Sequence, residues 1–327
     1  MKGIIVTKFG GPEVLAYRDI DDPQPEANQV LIRVHSAGVN FADVKARTNV
    51  HHIKRPLPFI PGLDAAGTIE AVGSEVKNLK AGQRVVAFPL GGSYCELALA
   101  HEVLAFPIPD SIKDDTAAAF PVVAGTSYAM LSRIARLQTG QGLLLHSAAG
   151  GVGTTALQIA KHLGARPIIT TVGSDTKKKL LEELGADAVV NYRSENYVEK
   201  TLALTDGKGV DVILNPLAGE LLERDLDCLA PFGRLICYGN ASGEPASFLS
   251  SQLQGSCRSV LGFSFGTLRR TRPQEVLGVM QAVIALLSEG KIRMVLGKRF
   301  PLAKAAEAHR YLESRKSTGK ILLTVRG

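Results

Sequence analysis

Two hydrophobic patterns divide the chain near Pro121. Before it, apolar and polar residues alternate in short runs: Gly3–Thr7, Leu15–Ile20, Gln29–His35, Ala65–Val72, Arg84–Phe88 and Tyr94–Ala100. In the third run Val30, Ile32 and Val34 share one face, and a period of two predicts strands. Gly10-Gly11-Pro12 is a turn, Pro23 and Pro25 mark a loop, and Asn40–Arg47 reads as a short helix. Pro56, Pro58 and Pro61 stiffen a loop from His51 to Gly62. Strands this short and irregularly spaced predict a small β-barrel.

After Pro121, continuous apolar runs alternate with helical periods. Strands are expected at Leu143–His146, Pro167–Thr171, Ala188–Asn191, Val210–Leu214, Arg234–Tyr238 and Ser259–Phe263. Helices are expected over 151–163, 175–184, 195–204 and about 219–229, with Gly164 and Gly185 as C-terminal stops. Strands joined by helical crossovers predict an α/β, doubly wound parallel sheet. A helix over about 273–288 puts Val276, Met280, Val283, Ile284 and Leu287 on one face. The closing strand, helix and strand (Gly297–Phe300, Ala303–Leu312, Lys320–Val325) break the alternation, so they are expected to rejoin the first domain. The expected domains are 1–122 with 268–327, and 123–267.

The most informative stretch is Leu143 to Ala160, a buried strand, a glycine turn and an amphipathic helix. Ala148, Gly150 and Gly153 hold the three small-residue positions of a dinucleotide fingerprint. Backbone N–H groups from Ala149, Gly150, Gly151, Val152 and Gly153 can approach a pyrophosphate there, favoured by the helix dipole. The alternative is a glycine turn kept only for helix–sheet packing. The second strand ends Thr170-Thr171-Val172-Gly173-Ser174, without the acidic residue that takes the ribose hydroxyls of NAD. Asp175 comes a step late and is free to cap the next helix. Lys177 sits in a first helical turn, where the dipole disfavours a cation, and that placement fits a 2′-phosphate. NADPH is therefore preferred over NADH, although a lysine run at 177–179 also reads as a solvated helix face.

Composition narrows the class. At 327 residues, with 45% hydrophobic and 21% charged residues, the chain supports two globular domains. No apolar run is long enough to span a bilayer, and a cytoplasmic location is the default expectation. The net charge of +7 is spread along the chain rather than clustered with aromatics, which argues against a nucleic-acid partner. Cys95, Cys228, Cys237 and Cys257 form no C-x-x-C pair, so neither a zinc ribbon nor a disulfide framework is expected.

Across essentially its whole length the chain resembles the zinc-independent, zeta-crystallin-like NADPH:quinone oxidoreductases of the medium-chain dehydrogenase/reductase superfamily. The carriers are Ala37–Asp43, Pro61–Gly67, Ala148–Gly153, Asn191-Tyr192-Arg193 and Thr318–Leu323. The resemblance implies a GroES-like catalytic domain, a Rossmann domain, a cleft between them and a homodimer through an edge strand at Ser259–Phe263. Zinc members of the superfamily carry a cysteine after Gly-Val and then Gly-His-Glu. Here those positions read Asn40–Asp43 and Gly62-Leu63-Asp64, so no metal is expected.

The same resemblance assigns Lys177 and Tyr192 to the 2′-phosphate, with Gly173 and Ser174 in the same turn. It puts Asn40, Thr126, Asn215, Gly239, Asn240 and Phe263 near the rest of the cofactor. Tyr192 also reads as a surface tyrosine, Thr126 as a helix-interior residue and Asn215 as a turn cap before Pro216. A hydride acceptor of this kind is a quinone or an α,β-unsaturated carbonyl, whose developing oxyanion needs a donor. Asn40, Asp43 and Lys45 are the catalytic candidates, Asp43 as an orienting group; Lys45 also reads as a solvated helix lysine, and it stands where some relatives carry tyrosine. The loop from Asn49 to Pro58 is basic, which keeps a 2-enoyl-thioester reductase as a competitor. An NADPH-binding protein with little turnover is the third reading.

Overall fold

Strand Gln29–Val39 runs four residues past its expected end, and the first unit is built on it. One edge pairs antiparallel with Asp64–Val72. The other edge is shared: Leu97–His101 takes residues 29–33 and the C-terminal strand Lys320–Thr324 takes residues 36–39. The small residues Ser36, Ala37 and Gly38 let the strand serve both neighbours. Seven strands join in this sheet, with Leu296–Pro301 parallel to Lys320–Thr324 at one end and Arg84–Ala87 and Ala105–Pro107 at the other. Lys2–Ile5 and Ala16–Asp19 form a separate hairpin pair.

The computed structural model describes residues 1–325. It divides into two compact units, one of Met1–Gly125, Leu268–Gly290 and Met294–Gly327, the other of Thr126–Thr267 with Lys291–Arg293.

In the first unit Ile4, Val6, Val39, Tyr94, Phe300, Leu323 and their neighbours make one core, and Val30, Ile32, Ile69 and Val85 another. Tyr94 and Cys95 were expected to begin a strand. Instead Cys95 bridges Gly3, and the strand starts at Leu97. Helix Pro273–Ser288 buries Val276, Val279, Met280, Val283 and Leu286. Ile284 and Leu287 are only half-buried, so the apolar stripe lies one residue round from the expected one.

The second unit holds six parallel strands in the spatial order Ala188–Asn191, Ile168–Val172, Leu143–Leu145, Val210–Asn215, Leu229–Cys237, Ser259–Gly262. Counted along the chain this is 3-2-1-4-5-6, the doubly wound order whose switch point lies between its first and fourth strands. Crossover helices run over Gly151–His162, Lys178–Leu184, Tyr197–Leu204 and Glu220–Arg224. Gly164 and Gly185 both take a positive φ after helix ends. The fifth strand begins five residues earlier than its apolar run suggested, because Leu229 already pairs with Val210 across a register shift.

Candidate functional site

In the second unit the fingerprint folds as its spacing requires. The strand Leu143–Leu145 ends at His146, Ser147 turns through a positive φ of 54°, and helix Gly151–His162 starts after Gly150. Thr154 N–H donates the first helical bond, to Gly150 O at 2.9 Å. The N–H groups of Gly151, Val152 and Gly153 precede it and form the donor cluster of a helix N-terminus. A Cβ at Gly153 would fall on the backbone of Ala148, so only glycine lets helix and strand approach this closely. Ser127 Oγ donates to Val152 O at 3.1 Å, which ties the segment holding buried Thr126 to the fingerprint helix.

At the end of the second strand, Gly173, Lys177, Tyr192 and Arg193 converge. A Cβ on Gly173 would sit 2.7 Å from the Tyr192 hydroxyl and 3.5 Å from Arg193 Nε. Lys177 is half-buried; burial, then the Arg193 charge, lowers its pKa. Ser174 caps the turn and its hydroxyl pairs with Thr176 at 2.9 Å. Lys178 faces elsewhere, to Asp175 at 3.0 Å and Glu195 at 2.9 Å. Lys179 is exposed. The lysine run therefore splits by role. Arg193 was not among the residues singled out, although it follows Tyr192 in the triplet that carried the resemblance.

Beneath the fingerprint lies a buried polar network that the sequence reading missed. His146 Nε2 lies 2.7 Å from Asp225 Oδ1, and its Nδ1 lies 2.9 Å from the Thr171 hydroxyl. Asp225 also accepts from Tyr197 at 3.1 Å and from Asn215 Nδ2 at 2.7 Å. Asn215 Oδ1 accepts the Leu217 and Ala218 N–H groups at 2.7 and 3.0 Å. Asn215 is thus a buried turn brace in this structure. The network joins the ends of the first, second and fourth strands, the edge where such sheets bind ligands. Gly239 packs against Pro216, Asn240 Oδ1 accepts Gly243 N–H at 2.8 Å, and Phe263 N–H donates to Cys237 O at 2.9 Å.

In the first unit Asn40 and Asp43 come together with Asp64, Lys320, Tyr94 and His309, all buried. Asn40 is the N-cap of helix Phe41–Arg47, and its N–H donates to Asp43 Oδ2 at 2.8 Å. Its side-chain amide donates to Asp64 Oδ2 at 2.8 Å and accepts from Lys320 Nζ at 2.5 Å. Lys320 Nζ also meets Asp64 Oδ2 at 2.7 Å, and Val122 N–H donates to Asp64 Oδ1 at 2.7 Å. Tyr94 donates to Asp43 Oδ2 at 3.1 Å and lies 3.2 Å from His309 Nε2. Burial raises Asp43 to about 6, against the backbone hydrogen bond from Asn40 and the charge of Lys320. Burial lowers His309 to about 3, helped by Arg47. Lys45 lies apart from this network, half-buried, with its ammonium 5.9 Å from the Phe41 ring and its pKa lowered by burial.

Asp64, next to the Leu63 that stands where zinc members carry histidine, is thus matched by a buried ammonium. Among the described residues no group of three or more His, Cys, Asp or Glu could hold a metal. Also among them, no helix is long and apolar enough to cross a membrane.

A small-strand unit that recovers the end of the chain, joined to a 3-2-1-4-5-6 sheet with a glycine fingerprint, defines a medium-chain dehydrogenase/reductase. The alcohol dehydrogenase GroES-like domain model matches residues 26–110, and the zinc-binding dehydrogenase model matches residues 184–323. Quinone oxidoreductase of Rattus norvegicus is 36% identical over 99% of this chain and 97% of its own length. The structure of Escherichia coli quinone oxidoreductase complexed with NADPH superposes with a TM-score of 0.92 at 33% identity, covering 99% of this chain and all of the other. A segment of a Mycobacterium tuberculosis phenolphthiocerol/phthiocerol polyketide synthase subunit is 36% identical over 97% of this chain, which spans only 14% of that protein. The chain belongs to the quinone oxidoreductase family.

Proposed function

We propose that the protein is an NADPH-dependent reductase of quinones and related α,β-unsaturated carbonyls that works without a metal. The observation that carries this reading is the Gly173, Lys177, Tyr192 and Arg193 cradle. It offers two cations and a phenol where an NAD site has a carboxylate, and the missing side chain at Gly173 lets the Tyr192 hydroxyl come close to the turn. The N–H groups of Ala149, Gly151, Val152 and Gly153 suit the pyrophosphate, that of Gly150 being bonded to Ser147 O at 3.2 Å; Thr126, Ser174, Gly239, Asn240 and Phe263 complete the proposed set, with Asn215 acting by bracing its turn. The family relationship supports the same cofactor.

NADPH, when bound, supplies a hydride. The chain orients the acceptor and provides for the charge that develops on its oxygen. Asn40 and Asp43 are positioning residues in this reading, because their polar atoms are already committed to Lys320, Asp64 and Tyr94. Lys45 is the candidate proton donor, and burial makes its ammonium more acidic. Lys320 already neutralises Asp64, which favours a metal-free site. We extend the reading to a cytoplasmic homodimer. Four unpaired cysteines suit a reducing compartment, and strand Ser259–Gly262 ends its sheet with one edge open.

A second reading, reduction of 2-enoyl thioesters, is favoured by the polyketide synthase relative. Both are tested by following NADPH and NADH oxidation with a benzoquinone, a fused-ring quinone, a simple enone and crotonyl-CoA, with and without a chelator. Chelator-resistant turnover of quinones with NADPH is expected. Lys177→Gln should cut the preference for NADPH about tenfold to a hundredfold, the worth of one charge-assisted bond. Equal rates with NADH in the unaltered protein would remove the phosphate cradle from the argument. Tight NADPH binding without turnover of any acceptor would make the protein a binding protein instead.

A further inference from the structure

The helix that Asn40 caps leads into a face of the first unit that combines cations with exposed apolar side chains. Lys45, His51, His52, Lys54 and Arg55 follow one another along the chain, and Arg270 joins them from helix Phe265–Thr271. The His51 and His52 rings stack at 4.4 Å. Ile53 N–H donates to His51 Nδ1 at 3.0 Å. Burial lowers His51 to about 4, and the charges of His52, Lys45 and Arg55 push it the same way. Burial, then Arg270 and Lys45, lowers His52. Arg55 and Lys54 donate to backbone carbonyls, of Ile60 at 3.3 Å and Asn49 at 2.5 Å. Arg269, one residue before Arg270, differs. It packs over the Phe88 ring at 4.4 Å, and Asp64 and Asp43 partly balance its charge.

Lys45, Arg55 and Arg270, grouped around the stacked histidine pair, create a positive potential, and an anion brought there gains energy. Large apolar side chains are exposed on the same stretch: Phe41 (41%), Val50 (65%) and Leu57 (37%). A purely ionic ligand would have no use for them.

We propose that this face selects acceptors that join a flat or acyl apolar body to a negative charge, such as a phosphate or a sulfonate. The proposal rests on the reductase reading and names the substrate class for it.

The test uses two matched pairs with the full-length protein and NADPH. One pair is crotonyl-CoA and the crotonyl thioester of N-acetylcysteamine, which share reacting atoms and differ in the phosphorylated tail. The other is a naphthoquinone sulfonate and the parent naphthoquinone. The readout is the ratio of kcat/KM, charged over neutral, at low and high salt. An advantage of about tenfold or more at low salt, shrinking as salt screens it, is expected. Arg270→Gln and Lys54→Gln should each lower that ratio without changing the melting temperature, whereas His52→Gln, which removes no charge, should leave it unchanged. An advantage in both pairs means that charge is read. An advantage in the CoA pair alone overturns the proposal, because the nucleotide tail and not the charge is then what is read. Ratios near one in both pairs, or ratios that salt leaves unchanged, overturn the proposal. Failure of every acceptor, charged or neutral, would instead be a failure of the reductase reading. The charge question is then decided by the melting shift with the naphthoquinone sulfonate: its presence in the unaltered protein and loss in Arg270→Gln supports the anion site, and its absence overturns it.

Discussion

Lys320 is the residue on which the first unit's buried polar centre depends, and replacing it with methionine tests that dependence. Its ammonium and the Asp64 carboxylate are 2% and 0% exposed and lie 2.7 Å apart. Lys320→Met keeps most of the side-chain volume but leaves a buried carboxylate without its cation. Breaking such a pair from one side costs roughly 3–5 kcal/mol. Asp64 would still accept from Asn40 Nδ2 and Val122 N–H, at 2.8 and 2.7 Å, which places the loss near the lower end, about 3 kcal/mol. In a unit of this size each kcal/mol moves Tm by roughly 2–4 °C, so a fall of about 6–12 °C is expected. Asp64→Asn alone strands the cation and should cost a similar amount. The double variant Lys320→Met with Asp64→Asn removes both charges and should be more stable than the sum of the single losses implies, by about 1.5 kcal/mol or more. Urea or thermal unfolding of the four proteins completes the cycle. A Lys320→Met loss below about 1 kcal/mol, or strict additivity in the double variant, would refute the reasoning.

His309 is buried neutral, and its folded pKa of about 3 lies below the unfolded value of 6.5. The unfolded state then binds more protons between these values, so stability is lost as pH falls through that window. Asp43, raised to about 6 from 3.8, acts with the opposite sign, losing stability as pH rises between those values. His309→Gln keeps Asp43 and removes only the first effect, so its stability relative to the unaltered protein should improve by about 3 kcal/mol from pH 7 to pH 4. A difference that does not change with pH would contradict a buried neutral imidazole. Gly153→Ala places a methyl on the Ala148 backbone, which cannot yield as a flexible side chain can, and should cost about 1–3 kcal/mol. The melting shift produced by NADPH should shrink with it, and an undiminished shift would mean that the fingerprint helix tolerates displacement.

Periodicity made the second unit legible because its parallel strands are buried on both faces. Leu143–Leu145 is a continuous apolar run and Ile168–Val172 sets Thr170 and Thr171 among apolar residues, with every residue of both strands buried, and glycines mark the helix ends between them. The first unit was harder for a physical reason. Strand Gln29–Val39 ends in Ser36-Ala37-Gly38, small residues without alternation, and they are strand because two other segments pair with them. Helix Asp114–Ala119 buries Ala117, Ala118 and Ala119 in succession, which is not an amphipathic pattern, and it was missed. Helix Phe265–Thr271 carries no periodic signal, because its apolar residues precede a basic run instead of repeating through it.

The candidate site divides along the same line. Gly150, Gly153 and Lys177 lie in or beside turns whose local spacing carries the signal, so residue order alone could nominate them, whereas Gly173 and Tyr192 came from the family resemblance. His146 left a weaker trace, a polar residue ending an apolar strand, but its partner Asp225 lies 79 positions away. Lys320 left none. It lies 280 positions from Asn40, and its meaning comes only from strand Lys320–Thr324 pairing with strand Gln29–Val39. That pairing also changes what Asn40 can do. An asparagine read from its motif has a free amide to offer a substrate oxygen. An asparagine whose oxygen accepts from Lys320 and whose nitrogen donates to Asp64 is itself held in place. In the proposed reading its contribution is then the fixed start of helix Phe41–Arg47, and through that helix the position of the candidate donor Lys45.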